Sequence, residues 1–584
     1  MTKPSGASGG DNRNSFLNGV SKDFPLEVPV ESPARRGFSI SYMGKTLLSR
    51  IDPVAQGENL AAEVSIERGT LYFCPSPLYG YGLSFLLENL EENSAILCVE
   101  ADEKLYEISK KAFLEPALSG GSKKLSLINT HSPESLCVFV NKIYGKRVFQ
   151  RIVTIHLGGG WQIFPELYKD MEAVLRREIN VEWSNAMTLI HLGRLYAKNL
   201  IRNLALIPES RNISALDFSS SPVLVLGAGP SLDSTLDELL ELFGGSIPKP
   251  EERGFKIICV DTSLPALNER GILPDLTVIL ECQQYNLKAF TGLKNHKISA
   301  ALDLSALPAS ARVLAGDMFL FFTPWTELRL LERLAKSSII PETIPPLGSV
   351  GLSGVALALR LGSGPVLTGG IDFSYSMDAY HARCTPGSKE QKMKQNRLRS
   401  LINVEAAFRL GAMNVISKNG KDVRSDPAMR NYRELFELKF GGNPRLLDIN
   451  SSGLSLGIKT VSCSEAFAVL TRVTTHGTVC GTTYGVTSNT LCNNIIDFIR
   501  SEIGVLDRLR NILTGAIESE AAQLEELLDK SDYLWAHFPE CAGAGGRRPP
   551  HTDISFLKRV RTEIDPFLKL WEMSLRDLDN YIPS

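Results

Sequence analysis

Six short apolar segments recur in the middle of the chain, and this recurrence limits the folds open to it. They read VLVLG, FKIICVD, LTVILEC, ISAALD, MFLFFT and PVLTGGIDF. Several are separated by segments with helical periodicity, such as LDSTLDELLELF and GSVGLSGVALALRLG. Strands that alternate with helices predict an α/β fold with a doubly wound, largely parallel sheet. In such a sheet ligands bind beyond the carboxyl ends of the strands, near the point where the winding reverses.

Length and composition indicate an ordinary globular protein with several domains. The 584 residues are too many for one hydrophobic core, since a domain has roughly 150 residues. The net charge of -2 gives no reason to expect a nucleic-acid partner. Ten scattered cysteines without a C-x-x-C motif argue against a zinc site and a disulfide scaffold, which favours a reducing, cytoplasmic location. The sequence has no run of about 18 apolar residues, so no membrane span is expected.

Composition and periodicity divide the chain into four predicted segments. Residues 1–35 are rich in Gly, Ser and Asn and are expected to form a disordered tail. Residues 36–200 are predicted to form a Rossmann-like domain and residues 201–460 the central α/β domain. Residues 461–584 have apolar spacings of three and four, which predict a C-terminal helical domain.

The segment after the tail has the pattern of a hairpin followed by a βαβ unit. FSISYMGKTLLS alternates and has a turn signal at Met43-Gly44. TLYFCPSPLYGYGLSFLLENL and SAILCVEADEKLYEISKKAF then read as strand, loop, helix, strand and helix. Gly80, Gly82 and Glu100 are candidates for nucleotide binding, but the loop lacks the dinucleotide fingerprint. A structural role for this domain is therefore the favoured interpretation.

The stretch SPVLVLGAGPSL ends an apolar strand with glycines. Residues without a Cβ, here Gly227 and Gly229, let backbone N–H groups approach an anion. The dinucleotide fingerprint fails because Leu232 stands where its third glycine belongs, and Pro230 removes one N–H donor. No Gly-Lys-Ser/Thr follows, which excludes a P-loop.

Glycines and polar side chains occupy the end of almost every predicted strand of the central domain. In chain order these are Gly227, Gly229 and Ser231, then Asp261, Thr262 and Ser263, then Glu281 and Gln283, then Thr323, and finally Gly369, Gly370 and Asp372. Because parallel strands end at one edge of the sheet, together they predict an anion- and ribose-binding rim. The alternative for each residue is a turn or a cap; Ser231 or Asp233, for example, would cap the helix that begins at Leu232.

Two further stretches add candidates to this rim. LGSVGLSG places Gly348 and Ser349 at the start of a helix, where free N–H groups and the helix dipole favour a phosphate. GGIDFSYSMDAYHARC places His381 on a loop nine residues after Asp372. The ordinary pKa of histidine suits a general base near neutral pH, although a single loop histidine is also compatible with no catalytic role.

These motifs carry a resemblance to a known family. GAGPSL, the segment from Asp261 to Leu267, Pro274-Asp275, Gly348-Ser349-Val350 and GGIDFSYSMDAYHA resemble the central domain of the motility-associated factor (Maf) flagellin glycosyltransferases. GKTLLSRIDP and YGYGLSFLLENL are similar to the family's N-terminal domain, so the resemblance spans about Phe38 to Gly457. The central domain is also similar to bacterial sialyltransferases and to MptE-like 6-hydroxymethylpterin diphosphokinases.

The resemblance implies transfer of a nonulosonic acid of the pseudaminic or legionaminic type from its CMP donor to Ser or Thr of flagellin. Amides of Gly227 to Ser231 and Gly348 to Val350 would then bind the donor phosphate. His381 is the implied general base, with Asp372 orienting it or binding the donor. The remaining candidates for donor binding are Pro230, Tyr375 and the other rim residues, namely Asp261, Thr262, Ser263, Glu281, Gln283, Thr323 and Gly370.

No metal cofactor is expected, because CMP is a good leaving group and the sequence has no convincing ligand cluster. Where the family has Gly-Gln-Asp this chain has Gly370-Ile371-Asp372, which leaves the identity of the sugar open.

Two other functions remain open at this point. A pterin pyrophosphokinase would need ATP and Mg²⁺, for which Asp261, Glu281 and Asp372 are candidate ligands. A non-catalytic flagellin-binding protein would keep the rim without using it for chemistry.

Overall fold

The computed structural model describes residues 27–579 except 115–117, 119–123, 146, 295, 399–408, 473–488, 519 and 544–546. Most of the predicted disordered tail, residues 1–26, lies outside the described residues. In the last part of the predicted tail, strand β1 (Val30–Pro33) pairs antiparallel with β2 (Phe38–Tyr42). Gly37, with φ of 77°, lies in the turn between them. Regular structure therefore begins inside the segment predicted as disordered, because backbone pairing with β2 stabilises a strand whose own side chains are exposed.

The chain divides into two compact units. Of the described residues, those up to 187 and those between 539 and 547 form one unit, and the others form the second. The domain boundaries drawn from composition stay predictions.

The first unit contains a small antiparallel sheet and a four-stranded parallel sheet. Strand β3 (Lys45–Thr46) pairs with β2 across Met43 and Gly44, whose φ values of 49° and 68° confirm the predicted hairpin turn. The parallel sheet has the order β6-β5-β4-β7, in which the first strand along the chain is third in space, as in doubly wound sheets. Its elements are β4 (Thr70–Pro75), β5 (Ala95–Glu100), β6 (Leu125–Asn129), β7 (Arg151–Thr154), α1 (Pro53–Ala62), α2 (Leu83–Asn89), α3 (Glu103–Phe113) and α4 (Pro133–Tyr144).

Glu100, the acidic residue at the end of β5, is enclosed within this unit. Its carboxyl group accepts hydrogen bonds from Ser76 Oγ at 2.9 Å and Tyr168 Oη at 3.1 Å. Burial raises its pKa to about 8, against the lowering effect of these hydrogen bonds. The carboxyl group thus holds internal contacts instead of an open position at the sheet edge.

The second unit is built on a nine-stranded parallel sheet. The six strands predicted from the sequence are all present, which confirms the largely parallel central sheet. Its strands are β8 (Arg211–Asn212), β9 (Val223–Leu226), β10 (Lys256–Val260), β11 (Leu276–Ile279), β12 (Ala300–Asp303), β13 (Met318–Phe321), β14 (Val366–Gly369), β17 (Leu446–Asp448) and β18 (Lys459–Thr460). A separate antiparallel hairpin consists of β15 (Met413–Ile416) and β16 (Asp422–Ser425).

Helices also follow this sheet in sequence. The remaining helices are α5 (Pro165–Leu204), α6 (Leu232–Leu242), α7 (Leu264–Glu269), α8 (Arg329–Lys336), α9 (Val350–Leu361), α10 (Pro386–Met393), α11 (Pro427–Phe440), α12 (Cys463–Leu470), α13 (Asn489–Leu513), α14 (Ala521–Lys530), α15 (Pro539–Ala542) and α16 (Ile554–Asp579). Of these, α15 and the first part of α5 belong to the first unit. Helix α9 packs against β9, β10, β11 and β14, and α6 packs against α12. The predicted C-terminal helices are present, and α13 packs along α16.

The strand order places a topological switch point between β9 and β14. The sheet runs β18-β17-β14-β9-β10-β11-β12-β13-β8, so the chain proceeds from β9 to β13 in one direction and then returns to the other side of β9. Residues Leu226 and Gly369 are partners in the register of β9 and β14. The crevice beyond their carboxyl ends is the expected ligand site of such a sheet.

Within the described residues, no helix is both long enough and apolar enough to cross a bilayer. The nine cysteines in this part of the chain are all free thiols.

Candidate functional site

The glycine loop, residues 227–231, packs directly against the chain that leaves β14. Gly227 donates its backbone N–H to Gly369 O, and Gly229 donates to Gly370 O, both at 2.8 Å. A Cβ on Gly229 would lie 2.5 Å from Asp372 Oδ2, and one on Gly227 would overlap the Gly370 carbonyl. Both glycines are therefore required by the close approach of two backbones.

Asp372 joins the end of β14 to the start of α6. Its Oδ2 accepts a hydrogen bond from the Ser231 N–H at 2.7 Å, and its Oδ1 accepts one from the Ser231 hydroxyl. Burial raises the pKa of Asp372 to about 6, partly offset by these hydrogen bonds. Ser231 is the N-cap residue of α6, but its side chain makes no capping bond to that helix because Asp372 engages it.

A buried polar network extends from this pair towards β17. Asn450 Oδ1 accepts a hydrogen bond from the Gly370 N–H at 2.5 Å and lies 3.0 Å from Ser231 Oγ. The backbone N–H of Asn450 donates to Asp448 Oδ1 at 3.0 Å, and Asp448 forms a buried ion pair with Lys418. Sequence reasoning missed Asp448 and Asn450, since LLD is too short an apolar run to be recognised as a strand. It also missed Lys418, which lies between β15 and β16.

The contacts of the glycine loop change one expectation. The resemblance implies that the amides of Gly227 to Ser231 bind a phosphate, whereas in the structure the N–H groups of Gly227, Gly229 and Ser231 donate to acceptors within the protein. In this conformation these hydrogen bonds fix the glycine loop to the chain that leaves β14. The amides at the start of α9 are the other group that the sequence assigned to a phosphate.

The start of α9 reaches the same crevice. Ser349 is its N-cap residue and makes no side-chain capping bond, so the first helical amides lack that acceptor. Gly348 has φ of 68° and lies against the ring of Tyr432. A Cβ on Gly351 would lie 3.7 Å from the Ile371 side chain, which places the beginning of α9 beside the end of β14.

The loop that carries His381 is fixed over the glycine loop. Ala382, the next residue, donates its backbone N–H to Ala228 O at 3.0 Å. Arg383 donates its backbone N–H to Asp233 Oδ2 at 2.8 Å. The tertiary structure thus brings His381 to the glycine loop. Asp233 holds the loop that carries His381.

His381 is largely buried and lies near the positively charged Arg409. Burial, and then the positive charge of Arg409, lower its pKa to about 4. Its ring lies 4.7 Å from the ring of Tyr380, measured between centroids. His381 is therefore neutral at pH 7, the form that accepts a proton. The Asp372 carboxylate accepts its hydrogen bonds from Ser231, a residue of the glycine loop, and not from His381.

The end of β10 holds its predicted residues in a tight turn. Asp261 is buried and accepts hydrogen bonds from the Thr262 N–H at 2.6 Å, Thr262 Oγ1 at 3.0 Å and Asn286 Nδ2 at 3.0 Å. Burial raises its pKa to about 6. Ser263 Oγ donates to the backbone oxygens of Leu226 and Val260, which ties this turn to the end of β9.

The ends of β11 and β13 lie further along the same edge. Glu281 accepts hydrogen bonds from the Gln283 N–H at 2.9 Å and from Tyr285 Oη at 2.7 Å. The Thr323 N–H donates to Asp303 Oδ2 at 2.7 Å, and burial raises the pKa of Asp303 to about 6. Sequence reasoning passed over Asp303, although an acidic residue at a strand end was the signal used elsewhere.

Two asparagines of α5, also missed from the sequence, hold the loops at this edge. Asn199 Nδ2 donates to Cys282 O at 3.0 Å and to Ser305 O at 3.1 Å. One turn later, Asn203 Nδ2 donates to the carbonyl oxygens of residues 304 and 306. Both side chains are buried, so α5 fixes the loops that follow β11 and β12.

Tyr375 is buried beneath the His381 loop. Its ring lies 4.9 Å from that of Tyr380, and its backbone exchanges two 2.9 Å hydrogen bonds with Arg424 of β16. The structure therefore uses Tyr375 in packing, and contact with a donor stays a prediction.

The candidate carboxylates at the rim each accept hydrogen bonds from within the protein. Among the described residues, no group of three His, Cys, Asp or Glu side chains is arranged to hold a metal ion. Asp261, Glu281 and Asp372 are thus not gathered into one ligand set in this conformation.

Comparisons with known proteins agree with this architecture. The structure of a MAf glycosyltransferase from Magnetospirillum magneticum AMB-1 matches with a TM-score of 0.53 and covers 95% of this chain and 93% of its own. The chain has the MAf glycosyltransferase fold. With 14% sequence identity the likeness concerns the fold, and it confirms the resemblance seen in the motifs at that level.

Within this MAf fold, residues 198–378 match the family model of MptE-like 6-hydroxymethylpterin diphosphokinases. The match includes the glycine loop, α9 and Asp372, and it ends before His381. An uncharacterised protein of Treponema pallidum (strain Nichols) is 29% identical over 589 residues, covering 97% of this chain and 99% of its own length.

Proposed function

We propose that this protein is a glycosyltransferase that moves a nonulosonic acid from a CMP donor to Ser or Thr of flagellin. One observation carries the proposal: the glycine loop, the uncapped start of α9 and the His381 loop meet at the switch point of a chain with the MAf fold. A switch-point crevice is where α/β sheets bind nucleotides. The specific sugar and acceptor come from the motif resemblance.

The proposal places the donor phosphate at the start of α9. The first helical N–H groups lack intrahelical partners, and the helix dipole favours an anion there. The glycine loop contributes shape, because the absence of Cβ atoms brings β9 close to the end of β14. The N–H groups of Gly227, Gly229 and Ser231 already donate to acceptors within the protein, so the start of α9 is the preferred phosphate site.

The transfer step follows from this arrangement. The bond between the anomeric carbon and the phosphate oxygen breaks, and its electron pair leaves with CMP. The acceptor hydroxyl oxygen forms the new bond to the anomeric carbon as His381 takes its proton. Burial and Arg409 make His381 a weak base in the free protein, and the negative charge of a bound donor would raise its pKa towards neutrality.

The MptE-like match supports a second candidate, a pterin pyrophosphokinase that uses ATP and Mg²⁺. That reaction needs carboxylates to hold the metal, with Asp261, Glu281 and Asp372 as candidates. A third candidate is a flagellin-binding protein without catalytic activity.

One experiment separates the three. Purified protein is incubated with flagellin and CMP-nonulosonic acids, and in parallel with ATP, Mg²⁺ and 6-hydroxymethylpterin, and the products are weighed by mass spectrometry. Sugar-modified flagellin supports the proposal, and a pyrophosphorylated pterin replaces it with the kinase. Flagellin that binds without either product supports the non-catalytic protein.

A further inference from the structure

A cavity lies beside the glycine loop, at the carboxyl ends of β17 and β18. Its volume is about 410 Å³, within the range of small-molecule sites. Helix α6 contributes Thr235 and Glu238 to its wall, and the start of α12 contributes Ser462. Lys418 and Asn450 line the side that faces the crevice.

The wall is polar and contains an unused hydrogen-bonding group. Thr235 is 1% exposed, and its hydroxyl oxygen has no hydrogen-bond partner in the part of the chain that the structure describes. Buried polar groups are normally paired, so an unpaired hydroxyl in a cavity wall indicates a partner supplied from the cavity. The Glu238 carboxylate adds acceptors to the wall, and the Lys418 ammonium adds donors.

The cavity and the crevice share one wall residue, Asn450. Asn450 lines the cavity and also holds Gly370 in the crevice through its Oδ1. Along the sheet edge, β17 is the second strand from β9, so the cavity begins about 10 Å from the glycine loop. Asp261 and Thr262 lie on the opposite side of that loop, at the end of β10.

We propose that this cavity binds the hydroxyl-rich portion of the donor sugar. The inference rests on the proposed function: with the phosphate at the switch point, sugar and nucleoside extend along the edge in opposite directions. The nucleoside then lies towards Asp261 and the sugar towards β17. Thr235 and Glu238 hydrogen-bond sugar hydroxyls, and Lys418, held by Asp448, donates to sugar oxygens.

The test uses the full-length protein and four single variants. Thr235→Val removes the unpaired hydroxyl at nearly constant shape, and Thr277→Val is its control, since Thr277 is a buried threonine of β11 outside this cavity. Glu238→Gln has Glu241→Gln as its control, because both residues are exposed on α6. Titration calorimetry measures the affinity for CMP, for CMP-activated nonulosonic acids and for the free pseudaminic, legionaminic and N-acetylneuraminic acids.

The expected result is that Thr235→Val and Glu238→Gln weaken binding of the activated and free sugars by about tenfold, with CMP affinity unchanged. The two control variants should bind CMP and the sugars with wild-type affinity. Circular dichroism and thermal unfolding check that each variant is folded.

Two outcomes separate this inference from the proposed function. If the wild type binds and transfers the sugar but Thr235→Val and Glu238→Gln bind it like their controls, the cavity assignment is overturned and the proposed function stands. If the wild type binds a free sugar in a Thr235-dependent manner but neither binds CMP nor modifies flagellin, the cavity assignment stands and the proposed function is overturned. If the wild type binds none of these sugars, the cavity assignment is overturned.

Discussion

The carboxylate of Asp372 receives both the backbone N–H and the side-chain hydroxyl of Ser231, a residue 141 positions earlier in the chain. This pair joins the two strands at the switch point and sets the position of the glycine loop. The loop is therefore expected to respond to changes at the end of β14.

Asp372→Asn should destabilise the protein by about 1–3 kcal/mol, because the new amide N–H₂ would face one of the two Ser231 donors. Urea unfolding measures the change. Asp378→Asn, an exposed aspartate on the same loop, is the matched control and should unfold like the wild type. Equal midpoints for the two variants would show that the Asp372 contact contributes little.

Gly229→Ala should prevent CMP binding, since its Cβ would lie 2.5 Å from Asp372 Oδ2 and 2.9 Å from Gly370 O. The matched control is Gly254→Ala, where a Cβ meets no atom within 4 Å. Calorimetric titration with CMP measures both. Wild-type affinity in Gly229→Ala would mean that the close packing of this loop is not needed for the site.

His381→Ala should slow single-turnover transfer to flagellin by about 10²- to 10⁴-fold, the usual effect of losing a positioned base. Donor affinity should stay close to the wild-type value, because the proposal holds the phosphate at α9. His296→Ala, at an exposed histidine, is the control. Near-wild-type turnover would remove His381 from the mechanism, and loss of donor binding with the fold intact would assign it to recognition.

Transfer should continue in EDTA, because the proposal assigns phosphate stabilisation to helix amides and not to a cation. The measurement is flagellin modification before and after chelation. Loss of activity that Mg²⁺ restores would contradict this prediction and favour phosphoryl chemistry of the kinase type.

Glu100→Gln should make stability less dependent on pH. The folded protein raises the pKa of Glu100 from 4.5 to about 8, so it holds this proton more tightly than the unfolded chain does. The resulting stabilisation is complete below pH 4.5 and is lost as the pH rises to about 8. Between pH 6 and 9 the urea midpoint of the wild type should fall more steeply than that of Glu100→Gln, with the exposed Glu103→Gln behaving like the wild type.

Local patterns were enough to find the strands and several of their polar ends. Apolar runs such as VLVLG and FKIICVD form β9 and β10, because burial on both faces of a parallel sheet requires them. The same reasoning placed Asp261 and Asp372 at one edge. It passed over Asp448 and Asn450, because the strand before them has three residues and gives almost no pattern.

The sequence by itself determined the alternation of strands and helices, the glycines at the end of β9 and the class of fold, since these depend on periodicity and on residues a few positions apart. Only the tertiary structure decided which groups are available for chemistry. The Gly229 N–H is taken by Gly370 O, and the hydrogen bond between Ala382 and Ala228 brings His381 to the glycine loop. Hydrogen-bond partners from distant parts of the chain are set by the packing of β14 against β9, and no local pattern in the sequence encodes that pairing.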